Sequence, residues 1–265
     1  MTNRFVRSTN SYAGLQSING QEYDNFATRW EAHLIRVIEG SRPTHSSKEV
    51  EAMFRNRAEI FFDRLGWDVS VKNGYERDEF DEQDPVYLIS LDPDSGEYRG
   101  SLRLLPTIGR NMLRDVFPFL LRDDEIVESA TIWEVSRICT LLSEAPERHR
   151  GGVSPAFAEL LAGIGEIALL SGWTQMVAVF DTRVFRMLKA AGCNPQIIGK
   201  PTRIGKTMSF AGLFDTGVGP LQAIRDAMGI RGPVLEPRFA PPLLFEGPCV
   251  EPAALPRQER ELEAA

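Results

Sequence analysis

Between residues 57 and 137 lie charges and rings in an order that a hydrophobic core alone would not need. Arg57 and Phe61 stand four apart, and Trp67 follows. Then come Glu76, Asp78 and Asp81, Arg103 inside an apolar run, and Glu134 with Arg137 inside another. Burying an unpaired charge is expensive, so charges set into apolar runs point to a site for a charged small molecule. Aromatic faces would receive a cation, and an Arg fork would receive a carboxylate. Glu134, flanked by Trp133 and Val135, sits where burial can raise a carboxyl pKa and make a general base. Each residue also has a plainer reading: core aromatics on an amphipathic helix, a solvated acidic turn, an outward-facing Arg103, a structural ion pair for Glu134. Glu134 and Arg137 are three apart, so on a regular strand they face opposite sides. Either they serve different faces or a bulge turns both towards one site.

These residues need elements to position them. The spacing of Phe26, Trp30, His33, Leu34, Val37 and Ile38 predicts an amphipathic helix over 24–40. A second helix is predicted over 47–65, capped by Ser47, with Val50, Met53, Phe54, Arg57, Phe61 and Leu65 on one side. Strands follow at 86–91 and 98–105 as a hairpin, with a third at 131–140. Ser154 and Pro155 open a helix that ends near Gly172. Beyond it the pattern predicts a strand at 176–180, a helix at 183–191, strands at 196–198 and 209–214, and a helix at 221–228. The order implies one mixed sheet with helices on both faces. Three segments result: an N-terminal extension at 1–45, the main domain at 46–231, and a Pro- and Glu-rich tail at 232–265, disordered in its last twenty residues.

Composition narrows the function. A formal net charge of −7 over 265 residues argues against a general nucleic-acid binder. Cys139, Cys193 and Cys249 are odd in number and far apart, which fits a reducing cytoplasm, and they share no metal-like spacing with the histidines. No apolar run approaches the ~18 residues of a membrane span, and no apolar signal core is expected. The 147–155 loop partly matches the Arg-x-x-Gly-x-Gly/Ala phosphate loop of acetyltransferases. Arg148 and Gly151 are in place, Val153 stands where a small residue belongs, and Arg150 adds charge before a helix N-terminus. Arg183, Arg186 and Lys189 recur at helical spacing, with Lys200, Arg203 and Lys206 beyond. They make either a solvated face or a dock for an acidic partner.

Taken together, Arg57, Phe61, Trp67, Asp78, Asp81, Arg103, Glu134 and Arg137 resemble the motif of the acyl-homoserine-lactone synthases, the autoinducer synthases of quorum-sensing bacteria. The likeness covers about 50–214. It implies an acetyltransferase-like three-layer αβα sandwich with a central, mixed but mostly antiparallel sheet. It also implies acyl transfer from acyl carrier protein, or from acyl-coenzyme A, to the amine of S-adenosylmethionine. Lactonisation and release of methylthioadenosine follow. S-adenosylmethionine is then a substrate, and neither cofactor nor metal is expected. Arg57, Phe61, Trp67, Asp78, Asp81 and Arg103 would bind it, Arg57 and Arg103 either forking its carboxylate or pairing the acids. Glu134, Arg137 and Arg103 would serve catalysis. Met176, Ala178 and Leu161 would line the acyl pocket, Ala178 favouring chains without a 3-oxo group, and Arg148, Arg150, Arg183, Arg186 and Lys189 would dock the donor. A coenzyme A-dependent N-acetyltransferase and a non-catalytic ligand sensor are the rival readings.

Overall fold

Apolar residues at 34, 35, 37 and 38 satisfy a helical and a strand period equally, and the chain resolves the ambiguity as a strand. In the computed structural model, which describes residues 34–40, 48–122, 125–141 and 150–236, β1 (Leu34–Glu39) pairs antiparallel with β4 (Val86–Leu91). The expected helix over 24–40 is therefore corrected over residues 34–40; residues 24–33, like the Ser47 cap and the last twenty tail residues, lie outside the described residues. Ile35, Val37 and Ile38 are β-branched, which favours a pleated surface over a helix. β1 also joins the main sheet, so the segment assigned to the N-terminal extension contributes directly to the core.

Two short strands, β2 (Val71–Lys72) and β3 (Tyr75–Glu76), form a hairpin around Asn73 and Gly74, both at positive φ. That is the turn Asn-Gly favours. β5 (Tyr98–Pro106), β6 (Ile132–Thr140), β7 (Gln175–Asp181), β8 (Gln196–Ile204) and β9 (Thr207–Asp215) complete a seven-stranded sheet in the order β1-β4-β5-β6-β7-β9-β8. Every neighbour pair is antiparallel except β6 with β7. The strand predicted at 196–198 is the start of a longer one.

Helices cover both faces. On the first, α1 (Lys48–Arg57) packs Val50, Met53 and Phe54 onto Ile38, Tyr87 and Ile89, then widens into a π-helical turn over Ala58–Arg64. A one-turn helix α2 (Met112–Asp115) lies on this face as well, with Leu113 against Val177. The opposite face carries α3 (Pro155–Ser171), capped by Ser154 accepting from the Phe157 N–H and ended by Gly172 at φ 68°, as the sequence predicts. There Phe157, Leu160, Leu161 and Ile164 meet Leu88, Leu102, Leu104 and Val135. α4 (Thr182–Ala190) and α5 (Val218–Met228) complete that layer. This is the acetyltransferase-like αβα sandwich.

The chain after α5 is part of the fold. Glu166, in the middle of α3 and fully buried, accepts from the N–H groups of Val234 and Leu235 and from Arg225. Leu235 bridges Ile35 of β1, so the tail's start at 232–236 closes the core beside the first strand.

Candidate active site

The third strand decides the geometry. In the β5–β6 ladder Arg103 faces Ser136 but Ser101 faces Cys139, so β6 holds one extra residue, and Arg137 takes φ 54°. This bulge turns Arg137 to the side that Glu134 already faces, which settles the alternative left open by the spacing. A non-glycine residue held at positive φ is strained, and such strain gathers at functional sites.

Three guanidiniums and three carboxylates then interlock on the α1 face. Arg57 donates from Nε to Glu76 Oε2 at 2.5 Å and from both Nη atoms to Asp81 at 2.9 Å. Arg103 donates from Nη1 to Asp78 at 2.5 Å and Asp81 at 2.8 Å, from Nη2 to Asp78 at 3.0 Å, and from Nε to Ser136 at 3.1 Å. Arg137 binds Glu76 Oε1 at 2.9 Å and Asp78 Oδ2 at 2.8 Å through Nη2. Tyr87 donates its hydroxyl to Asp81 at 2.8 Å. Asp78 caps the short turn Glu79–Glu82, and its own N–H binds Asp81. Burial alone would raise the Asp81 carboxyl, but Arg57 and Arg103 outweigh it and hold it well below the usual carboxylate range. The same pairing lifts Arg57 and Arg103 above the ordinary arginine value despite burial.

Glu134 stands at the end of this cluster, 1% exposed. The Met112 and Leu113 N–H groups, at the start of α2, donate to its two oxygens at 2.9 and 2.6 Å. Burial raises its pKa and outweighs those two bonds and the nearby Arg103 and Arg137 charges. A carboxylate offers about four lone-pair sites, so one bond on each oxygen leaves room for a proton. Met112 Sδ lies 3.1 Å from Arg103 Nη2 and 3.3 Å from Arg137 Nη1, a thioether plug between the cluster and open space.

That space is a cavity of about 540 Å3 that crosses the sheet. The β6–β7 ladder runs from Ile132 and Gln175 to Val135 and Ala178 and then stops, while β6 continues to Thr140 and β7 to Asp181. The cavity passes through the gap between the diverging strands. Its arm on the α1 face is walled by Phe61, Trp67, Met112, Glu134 and Arg137, with the Phe61 and Trp67 rings 5.2 Å apart. Its arm on the α3 face is walled by Leu161, Ile164, Met176, Ala178, Phe180 and Ile224.

The structure thus brings most of the sequence-derived residues together, in two ranks. Phe61, Trp67, Glu134 and Arg137 line one arm, and Leu161, Met176 and Ala178 line the other. Arg57, Asp78, Asp81 and Arg103, assigned to substrate contact, are not on the wall. Arg57 and Arg103 pair the acids, the second of the two roles left open for them. Of the docking cations, Arg183 borders the cavity, while Arg186 and Lys189 are exposed on α4. Arg150 is exposed, and its Nη1 lies beside Gly229 at the end of α5. Arg148 falls outside the described residues. Tyr87, Ser136 and Met112 were missed as site residues, and Glu76, read as part of the acidic loop, was given no role of its own. The Asn-Gly turn was the available signal for Glu76, since it ends a strand there; Met112 carried none.

A three-layer sandwich whose central parallel strands part around a cavity, with a buried carboxylate at the parting, suits the acyl transfer that the sequence resemblance implies. The model of the autoinducer synthase family matches residues 41–224. The chain belongs to that family, whose members are acyl-homoserine-lactone synthases. It is 39% identical over 163 residues to the acyl-homoserine-lactone synthase of Agrobacterium fabrum (strain C58), covering 62% of this chain and 77% of that one. With the synthase of Rhizobium etli it shares 34% over 197 residues, 72% and 89% of the two chains. Among solved structures, the coenzyme A-dependent synthase BjaI, determined with S-adenosylmethionine and isopentyl-coenzyme A, superposes with TM-score 0.66 at 25% identity, covering 77% of this chain and 92% of that one. The synthase LasI gives 0.64 at 27%, covering 73% and 96%. No helix among the described residues is long and apolar enough to cross a membrane.

Proposed function

We propose that the cavity joins the two substrates through the sheet: S-adenosylmethionine in the arm on the α1 face, the acyl chain in the arm on the α3 face. The observation that carries this is the position of Glu134 where β6 and β7 part, between a charged, ring-walled arm and an apolar one. Trp67 and Phe61 face the sulfonium. Arg137, whose Nε and Nη2 are taken by Glu76 and Asp78, offers Nη1, beside the Met112 sulfur, to the methionine carboxylate. Arg57, Arg103, Asp78, Asp81 and Glu76 hold Arg137 and the acidic turn in place and act as positioning residues.

Acyl transfer begins when the α-amine of S-adenosylmethionine gives a proton to Glu134 and its nitrogen attacks the thioester carbonyl. Backbone N–H groups on the unladdered edges of β6 and β7 stabilise the oxyanion in this reading. Collapse breaks the C–S bond, and the thiol leaves with a proton. The methionine carboxylate oxygen then attacks its own γ-carbon, the sulfonium C–S bond breaks, and methylthioadenosine departs from an N-acyl homoserine lactone. No acyl-enzyme is required. Burial pushes the Cys193 thiol, at the cavity wall, up to about 12, so it is not a ready nucleophile. S-adenosylmethionine is consumed and no cofactor takes part. Both substrates place the enzyme in the cytoplasm.

The donor is an acyl group on acyl carrier protein. Arg183, Arg186 and Lys189 on α4 and Lys200, Arg203 and Lys206 on the β8–β9 hairpin are exposed, and the hairpin's turn lies at the same end of the sheet as the parting strands. An acidic partner on this patch would present its thioester at the gap. The likeness to coenzyme A-dependent BjaI supports acyl-coenzyme A as the second donor, whose phosphates the same cations would meet. The variant R183E/R186E is expected to raise the apparent KM for acyl carrier protein donors about tenfold, with the KM for S-adenosylmethionine unmoved. An unchanged donor KM in steady-state assays would place docking elsewhere.

A further inference from the structure

The cavity wall carries exposed residues at both ends of β7. At the end where β6 and β7 part, its wall includes Asp181 and exposed Arg183. At the opposite end of β7, Gln175 pairs with Asp215, and there the wall includes Asp215, Gly219 and Pro220, all three exposed. A pocket that measured a short acyl chain would end on buried side chains. Here the wall from Ala178 towards Asp215 carries Met176, Leu161, Ile164, Phe214 and Ile224 and ends on exposed residues where β9 hands over to α5.

The length of that path sets the substrate class. Ala178 and Gln175 are three strand residues apart, ~10 Å, and β9 lies ~4.8 Å to the side. An extended chain with C–C bonds of ~1.5 Å advances ~1.25 Å per carbon, so roughly nine carbons span the distance from the reacting centre to the opening. We propose that this arm is a channel open at the β9–α5 junction, and that the enzyme takes long-chain donors, of about ten carbons or more, whose tails pass Phe214 and reach the mouth beside Gly219. The inference rests on the acyl-transfer reading above. It also fits Ala178, which offers no hydroxyl to a 3-oxo group.

Gly219 allows a direct test. A Cβ added there meets nothing within 4 Å and its φ lies outside the left-handed region, so the backbone accepts a side chain at this wall position. Wild-type protein, Gly219→Phe and Gly219→Ala are assayed for lactone with S-adenosylmethionine and saturated donors of six, ten and fourteen carbons. Wild type is expected to turn over the fourteen-carbon donor best. Gly219→Phe is expected to lower the ratio of kcat/KM for fourteen over six carbons about tenfold or more, and Gly219→Ala to leave that ratio near the wild-type value. Ala223→Phe, at a second exposed wall position, repeats the measurement should Gly219→Phe not fold. A wild type that converts only the six-carbon donor, or a ratio unmoved by either Phe substitution, overturns the open channel while leaving the synthase reading intact. Absence of product with every donor overturns both.

Discussion

Glu134→Ala is expected to lower kcat by about 10²–10⁴-fold, the usual contribution of a positioned general base, in a protein that remains folded. The Met112 and Leu113 N–H groups lose their acceptors, and unsatisfied buried donors cost ~1–3 kcal/mol, well inside the ~5–15 kcal/mol that holds a domain together. Circular dichroism should therefore report a native spectrum with a modestly lower Tm. The pH profile separates a base from a mere anchor. Because the Glu134 pKa is raised, mainly by burial, the carboxylate needed to accept the amine proton is lost on acidification at a higher pH than for an ordinary glutamate. In wild type, kcat/KM should thus fall as pH drops through that raised value, and the residual activity of Glu134→Gln should lack that limb. A variant with full activity, or one that retains the acidic limb, would remove Glu134 from proton transfer.

Arg103→Ala is expected to act on stability instead. Its side chain is 0% exposed and holds Asp78 and Asp81 together. Breaking a buried ion pair from one side costs ~3–5 kcal/mol, because the remaining charge is left uncompensated. At ~2–4 °C per kcal/mol for a domain of this size, Tm should drop by roughly 6–20 °C. Arg103→Lys should not rescue it, since an ammonium cannot make the fork that reaches both carboxylates and Ser136. Acid sensitivity follows the same pairing. The folded Asp81 carboxyl lies below its unfolded value, so its contribution is fully present above the unfolded pKa and is lost as pH falls through the folded one. Without Arg103 that depression shrinks, and acid unfolding should begin at a higher pH than in wild type. Equal Tm values for Arg103→Ala and wild type would show that the cluster does not carry the fold.

Much of this was legible in the residues. The strands from β4 onward and α3 follow from alternation, turn residues and the Ser154–Pro155 start, all local signals. Arg103, Glu134 and Arg137 stood out because charges inside apolar runs are costly, the family resemblance supplied the full set of eight, and the structure shows why the arginines are tolerated: Arg57, Arg103 and Arg137 each meet at least two carboxylates. What local pattern could not supply was the order of contact. Nothing in the sequence says that Arg57 and Arg103 are spent on Asp81 while Arg137 alone of the three reaches the cavity, since that depends on one extra residue in β6. β1 was misread because four apolar positions in six residues fit either period, and only pairing with β4 decides between them. Met112 was invisible for a similar reason. A methionine in a connecting segment acquires its place from Glu134, 22 residues on.

The central claim is that one cavity makes an amide from S-adenosylmethionine and an acyl thioester and closes the lactone. Purified protein incubated with S-adenosylmethionine and a panel of acyl carrier protein and acyl-coenzyme A donors, followed by mass spectrometry, measures this directly. Methylthioadenosine and an N-acyl homoserine lactone should appear in equal amounts, dependent on the donor. No methylthioadenosine with any donor, or acyl transfer that leaves the sulfonium intact, would contradict it.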